Sequence, residues 1–337
     1  MQNCRTSNII HHKCNHNATA TPLISKQHRR QSTPTITASS SPSPPTSSSA
    51  VLICPGFLFG AQSYTQLAAN LQRKGFTTAI VPISPRDWWP CLAGADFSWY
   101  LERMDNALLE LHASVSSSCT FPGTPTAPTV SIAAHSAGGW IARILLGDVP
   151  YQNKVYNRAQ SGMIHSLITL GTPHHSLEQY PLGRIPEKLK HLHEDDVKKN
   201  EKIKSSSLQF ANFYYPRGDA FVRDNVRMYC IVGDAVAGSV EVEVVNNNSK
   251  TITSKKTKNW LVYESYKSGC GRGEVSGDGV TPVCIAHLEG AEENVVMPGV
   301  YHGPFSTESD EDERVWYGSA AVVERWWQYC LPDHYAP

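Results

Sequence analysis

A serine set among small residues, followed along the chain by an aspartate and then a histidine, can perform nucleophilic acyl chemistry. This sequence holds such a set. The serine is Ser136, in Ala134-His135-Ser136-Ala137-Gly138. Asp278 follows in Gly277-Asp278-Gly279-Val280-Thr281-Pro282-Val283, and His302 in Gly299-Val300-Tyr301-His302-Gly303-Pro304. A serine hydroxyl alone is a weak nucleophile; it needs a base to take its proton and a carboxylate to orient that base. Serine, acid, histidine is one of the chain orders in which such triads occur.

Other residues compete for these roles. Asp234, at the end of Tyr229-Cys230-Ile231-Val232-Gly233, is the alternative acid. His287, His174 and His175 are alternative bases, although His174 and His175 precede the acid in the chain. His135 adjoins Ser136 and is expected to point away from its hydroxyl. Asp278 and His302 are preferred because turn residues flank both, as suits side chains presented from loops at a sheet edge. A tetrahedral intermediate also needs two backbone N–H donors. Ala137, directly after the serine, supplies one. Phe57 in Cys54-Pro55-Gly56-Phe57-Leu58-Phe59-Gly60 supplies the other, with Leu58 as second choice.

The elements around these residues fit that use. Thr129–Ala134 reads as a strand running through a sharp turn at Ser136 into a helix from Gly138 to Leu146. Residues two before and two after the serine must be small where strand and helix backbones nearly touch, and here they are Ala134 and Gly138. The helix behind Ser136 also directs its positive end at developing negative charge. Further strands are expected at Val51–Cys54, Thr77–Ile83, Ser166–Leu170, Arg227–Val232 and Asn294–Met297. Helices are expected at Ser63–Lys74, Phe97–Val115 and Ser319–Leu331, the second with Leu101, Met104, Leu108 and Leu111 on one face. Short continuous apolar strands separated by helices imply a mostly parallel sheet with helices on both faces, a doubly wound α/β fold.

Two stretches interrupt this rhythm. Residues 184–204 are rich in charge and residues 241–258 contain Asn246-Asn247-Asn248 and several lysines. Both are read as surface insertions, since charge runs are ordinarily solvated faces. Residues 1–50 differ more sharply. They contain five Lys/Arg, seventeen Ser/Thr and no acidic residue, the first being Asp87. Such a segment lacks the apolar surface to offset its chain entropy and is expected to be disordered. Basic, Ser-rich and acid-free is the composition of an organelle transit peptide, with chloroplast ahead of mitochondrion and an unaddressed cytoplasmic linker as the alternative. The hydrolase domain is therefore expected over 51–337.

Composition excludes other classes. With 30 basic and 30 acidic residues the formal net charge is zero, which offers no attraction for nucleic acid. No apolar run approaches the roughly 18 residues of a membrane-spanning helix, which leaves room only for peripheral membrane contact. The nine cysteines are odd in number and form no CxxC pair, in keeping with free thiols. His11, His12, Cys14 and His16 are the nearest approach to a metal cluster and lie in the low-complexity tail, so neither metal nor cofactor is expected.

Taken together these motifs resemble the lipase-like serine hydrolases of the α/β-hydrolase superfamily. More narrowly, the chain resembles plant and algal plastid proteins, some labelled GPI inositol-deacylase-like. The resemblance spans about Val51 to Tyr329. It rests on Cys54-Pro55-Gly56-Phe57, Ala134-His135-Ser136-Ala137-Gly138-Gly139-Trp140, Leu170-Gly171-Thr172-Pro173-His174 and Gly277-Asp278-Gly279-Val280-Thr281-Pro282-Val283. It extends to His287-Leu288-Glu289-Gly290-Ala291, Gly299-Val300-Tyr301-His302 and Trp316-Tyr317-Gly318-Ser319. It implies the α/β-hydrolase fold, carboxylic ester chemistry and the roles given above for Ser136, Asp278 and His302. Two positions depart from the pattern: Pro55 stands where a histidine is usual before the loop glycine, and Ala134 where the elbow usually begins with glycine.

The expected activity is hydrolysis of a carboxylic ester, of lipid or another apolar acyl type, through an acyl-enzyme. An acyltransferase on the same triad is the alternative, and a non-catalytic binding module the third reading. Trp88, Trp89, Phe97, Trp99, Phe210, Phe213, Tyr214 and Tyr215 are candidates for an acyl site, with the plain core as the competing assignment. Residues 174–225 stand where a lid would be carried. Oligomeric state is not legible in the sequence.

Overall fold

The computed structural model describes residues 49–92, 94–118, 128–177, 207–239, 241–243, 253–255, 259–304 and 314–332. The transit-peptide reading, the His11–His16 cluster and the charged run 184–204 lie outside the described residues. All described residues belong to one compact unit, Pro42–Pro337.

In chain order the strands are β1 (Ser49–Cys54), β2 (Thr77–Ile80), β3 (Thr129–His135), β4 (Ile164–Leu170) and β5 (Arg227–Gly233). Then come the short β6 (Val236–Ala237), β7 (Glu241–Glu243), β8 (Thr253–Lys255) and β9 (Ser276–Gly277), and finally β10 (Glu293–Met297). The helices are α1 (Thr65–Arg73), α2 (Trp89–Leu92), α3 (Ser98–Ser118), α4 (Ala137–Leu146) and α5 (Ser207–Tyr214). After these follow α6 (Trp260–Cys270), α7 (Val283–Ala286) and α8 (Ala320–Val323). Six strands form one sheet in the order β2-β1-β3-β4-β5-β10, and every neighbouring pair is parallel.

Side-chain alternation along these strands divides the interior in two. Leu52, Cys54, Ile132, Ala134, Leu167 and Met228 point to one face, where they meet Leu101, Met104, Leu108 and Leu111 of α3 and the buried α4. Val51, Ile53, Ala133, Ile168 and Ile231 point to the other, against Leu67 and Leu71 of α1 and Trp316, Val322 and Trp326. A parallel sheet buried on both faces needs apolar residues at consecutive positions, and all six residues of β1 are buried. Burying each such aliphatic or aromatic side chain contributes about 1.5–3 kcal/mol. Every residue of α4 is buried as well, which makes it the central helix behind the sheet.

Three details depart from the expectations above. Strand β1 begins at Ser49, so Ser49 and Ala50 are folded and buried and the N-terminal segment is shorter by two residues. The single C-terminal helix is broken into α8 and a 3-10 turn at Trp327–Cys330. That break lets the Ser166 hydroxyl donate to the Tyr329 carbonyl at 2.9 Å and the Ser131 hydroxyl to that of Cys330 at 3.2 Å. The 241–258 segment contains the antiparallel pair β7–β8.

Candidate active site

The serine sits where β3 turns into α4. Its backbone adopts φ 51° and ψ −127°, a conformation costly for a residue with a side chain and held here by close packing on both sides. The Ser136 N–H still donates to the Leu170 carbonyl at 2.9 Å, which anchors the turn to β4. A Cβ at Gly138 would lie 2.8 Å from the Cys54 carbonyl oxygen and one at Gly56 2.7 Å from the Ser136 Cβ. Both glycines therefore let three backbone segments converge on the serine. Among the described residues no hydrogen bond engages the Ser136 hydroxyl, nor the N–H groups of Phe57 and Ala137.

The candidate acid, Asp278, lies in the tight turn after β9. Strand β9 pairs with β6, so the turn is brought back to the end of β5. Asp278 Oδ1 accepts the N–H groups of Val280 at 2.9 Å and Thr281 at 2.7 Å, an Asx-type turn that fixes the carboxylate to its own backbone. The Thr281 hydroxyl donates to the Gly171 carbonyl at 2.9 Å and ties the turn to the end of β4. Gly171 is left-handed at φ +59°, and a Cβ there would lie 2.6 Å from Asp278 Oδ2.

The candidate base, His302, lies in the loop after β10. The His302 N–H donates to the Asp278 carbonyl at 2.8 Å, and His302 Nδ1 lies 2.7 Å from Asp278 Oδ2. Both side chains are buried. A carboxylate only accepts, so Nδ1 carries the proton and Nε2 is left with its lone pair. Oδ2 also accepts the Tyr317 hydroxyl at 2.7 Å, and the Tyr317 oxygen accepts the Gly233 N–H at 2.8 Å. The Asp278 carboxylate thus holds four hydrogen bonds, which fix its orientation.

The alternatives lie elsewhere. Asp234 Oδ1 accepts the Gly299 N–H at 2.9 Å and serves the turn before His302. His174 is buried beneath Arg143, with Nδ1 3.2 Å from Nη1. Burial, then the Arg143 charge, hold it well below the usual histidine range. Burial likewise lowers His287 and His175. Both ring nitrogens of His135 are engaged away from Asp278, Nδ1 with the Tyr64 hydroxyl and Nε2 with the His302 carbonyl, each at 2.7 Å.

The aromatic candidates separate into two groups. Trp88 is fully buried and packs edge-on against Phe57 at 5.3 Å, Trp99 at 5.1 Å and Tyr100 at 4.9 Å; Phe97 meets Trp140 at 5.2 Å. These are core residues that back the loop carrying Phe57. Tyr215 is also buried. Trp89 and Phe213 are exposed, at 61% and 68%. Within the 174–225 stretch, α5 is joined to α4 by Arg143, which donates to Asn212 Oδ1 at 3.0 Å and to the carbonyls of Ala211 and Tyr215.

Tyr317 and Tyr64 went unassigned in the sequence. The first stood in a recognised motif, Trp316-Tyr317-Gly318-Ser319, without a role. The second reads as one more apolar helix position, and only its contacts reveal that its hydroxyl is used. Among the described residues no group of His, Cys, Asp or Glu is placed to hold a metal ion, and no helix is long and apolar enough to cross a membrane.

No protein-family model matches the chain, and no curated protein matches it. Solved structures do. A lipase from Bacillus licheniformis in propeptide form aligns at 15% identity and TM-score 0.45, over 76% of this chain and 47% of its own. The phospholipase PlaB from Legionella pneumophila aligns at 14% identity and TM-score 0.49, over 85% of this chain and 59% of its own. Tomato methylketone synthase I aligns at 15% identity and TM-score 0.23, over 37% of this chain. The chain thus spans about half the length of the first two. The strand order, the all-parallel sheet and the strand-turn-helix at Ser136 are those of the α/β-hydrolase fold.

Proposed function

We propose that the chain is a serine hydrolase that cleaves a carboxylic ester through an acyl-enzyme, with Ser136 as nucleophile, His302 as base and Asp278 as the acid that orients it. The observation that carries this reading is the buried His302–Asp278 pair at 2.7 Å, together with a serine held in a strained turn at a helix N-terminus. His302 Nε2 takes the serine proton as Oγ attacks the ester carbonyl. The Phe57 and Ala137 N–H groups receive the oxyanion, and among the described residues neither is spent on an internal hydrogen bond. His302 then returns the proton to the leaving alcohol, and water repeats the sequence to release the acid.

An apolar acyl group is the proposed substrate portion. Leu58, beside the Phe57 amide, is 46% exposed, and the exposed Trp89 and Leu92 extend from the helix turn whose Trp88 packs on Phe57. Apolar side chains beside the oxyanion loop favour an acyl chain over a small polar group. We further propose, from the composition of residues 1–50, that the protein is delivered to a plastid.

Fluorophosphonate labelling of the wild type and of Ser136→Ala tests the central reading. The wild type takes one label and the variant none. Equal labelling of both removes Ser136 from its role. A fluorescent fusion of residues 1–50 that stays in the cytosol removes the plastid assignment.

A further inference from the structure

His135 is buried beside the nucleophile, and the mechanism above gives it no step. Its contacts are nonetheless determined. His135 Nε2 lies 2.7 Å from the His302 carbonyl oxygen, which can only accept, so Nε2 carries the ring proton. Nδ1 is then a lone pair and takes the Tyr64 hydroxyl hydrogen at 2.7 Å. The Tyr64 oxygen in turn accepts the Gly56 N–H at 2.8 Å. Donor and acceptor alternate without conflict from the loop that carries Phe57 to the loop that carries the base.

The surroundings leave this chain little freedom. The His135 and His302 rings lie 4.5 Å apart, and Phe59 closes on His135 edge-on at 5.3 Å. A Cβ at Gly56 would stand 2.9 Å from His135 Nδ1, so the oxyanion loop abuts the ring directly.

Resting on the serine-hydrolase reading, we infer that Tyr64 and His135 are positioning residues: a neutral hydrogen-bonded bridge that holds the oxyanion loop and the catalytic histidine in register. Neither touches the substrate. The bridge matters because Phe57 and His302 act on the same tetrahedral intermediate from different loops, and a displacement of about 1 Å between such groups costs on the order of 100-fold in rate. Its neutrality matters too. When His302 accepts the serine proton a cation forms against the His135 ring, and burial together with His302 itself keeps His135 well below the usual histidine range.

Three substitutions in the full chain test this: Tyr64→Phe, His135→Leu and His135→Gln, each checked for folding by thermal unfolding. The readouts are p-nitrophenyl ester kinetics and fluorophosphonate labelling. Tyr64→Phe and His135→Leu are expected to lower kcat by about 100-fold with little change in KM. The double variant should lose no more than either single one, because both break the same chain of bonds. His135→Gln, whose amide can donate to the His302 carbonyl, should recover most of the loss. Folded variants with wild-type kcat, single losses that multiply, or a glutamine no better than leucine each overturn the inference. A wild type that takes no label defeats the serine-hydrolase reading itself, and the bridge with it. If His135→Leu does not fold, nitrogen-15 NMR of the wild type decides. The imidazole missing from the His135→Gln spectrum should remain the neutral Nε2–H form from about pH 5 to pH 8. Titration of that ring within the range overturns the bridge.

Discussion

The Tyr317 hydroxyl donates to Asp278 Oδ2 at 2.7 Å, on the same oxygen that receives His302 Nδ1–H. One carboxylate oxygen therefore serves two donors from two loops, while its twin is held by the backbone of its own turn. Tyr317 also accepts the Gly233 N–H, so it locks the acid to the end of β5. The same pattern recurs at Tyr64, which accepts a backbone N–H and donates into the site.

Tyr317→Phe is expected to leave the Gly233 N–H buried without a partner and Asp278 Oδ2 short of one donor. Unfolding in urea should show a loss of about 1–3 kcal/mol. Ester hydrolysis should fall as well, since Asp278 gains freedom to rotate. Unchanged stability and unchanged kcat together would show that the hydroxyl is idle.

Asp278→Asn keeps an acceptor toward Val280 and Thr281 but favours the wrong His302 tautomer. A fall in kcat of about 10⁴-fold is expected, with labelling of Ser136 slowed to match. Asp234→Asn makes the contrast. Its carboxylate supports the Gly299 N–H, and the amide oxygen can do the same, so activity should remain near wild type. The opposite ranking would transfer the role of acid to Asp234.

Stability should fall on acidification because of two buried histidines. His135 is held low by burial and then by His302, and His174 by burial and then by Arg143. Both stay neutral in the fold, whereas in the unfolded chain they take up protons below about pH 6.5. The unfolded state thus binds more protons as pH falls. Their contribution is complete above that pH and is lost on going down toward the lower folded values. Each histidine adds a slope of up to about 1.4 kcal/mol per pH unit. Urea midpoints measured from about pH 7.5 to pH 5 check this, and a flat profile would contradict it.

A series of p-nitrophenyl esters tests the acyl preference. Octanoate is expected to exceed acetate in kcat/KM, and replacing the exposed Leu58 or Trp89 by Ser should narrow that difference. A preference for acetate would reject an apolar acyl site while leaving the serine mechanism untouched.

Sequence alone determined the architecture. Consecutive apolar residues in Val51–Cys54 and Ile132–Ala134 need a sheet buried on both faces, and the small residues at 134 and 138 mark a turn where a strand and a helix nearly touch. The candidate set Ser136, Asp278 and His302 was legible for the same local reason, since turn residues flank the acid and the base. Tertiary structure decided what local pattern does not encode. Flanking turn residues favour Asp278 over Asp234 along the chain, but it is the β6–β9 pairing that carries Asp278 to His302 and leaves Asp234 on the Gly299 turn. Tyr64, His135 and Tyr317 acquire their parts through hydrogen bonds spanning 71, 167 and 39 residues. A tyrosine at a buried position reads as apolar bulk in any window of sequence. Which polar atom its hydroxyl meets is fixed only when distant loops converge and every buried donor must find an acceptor.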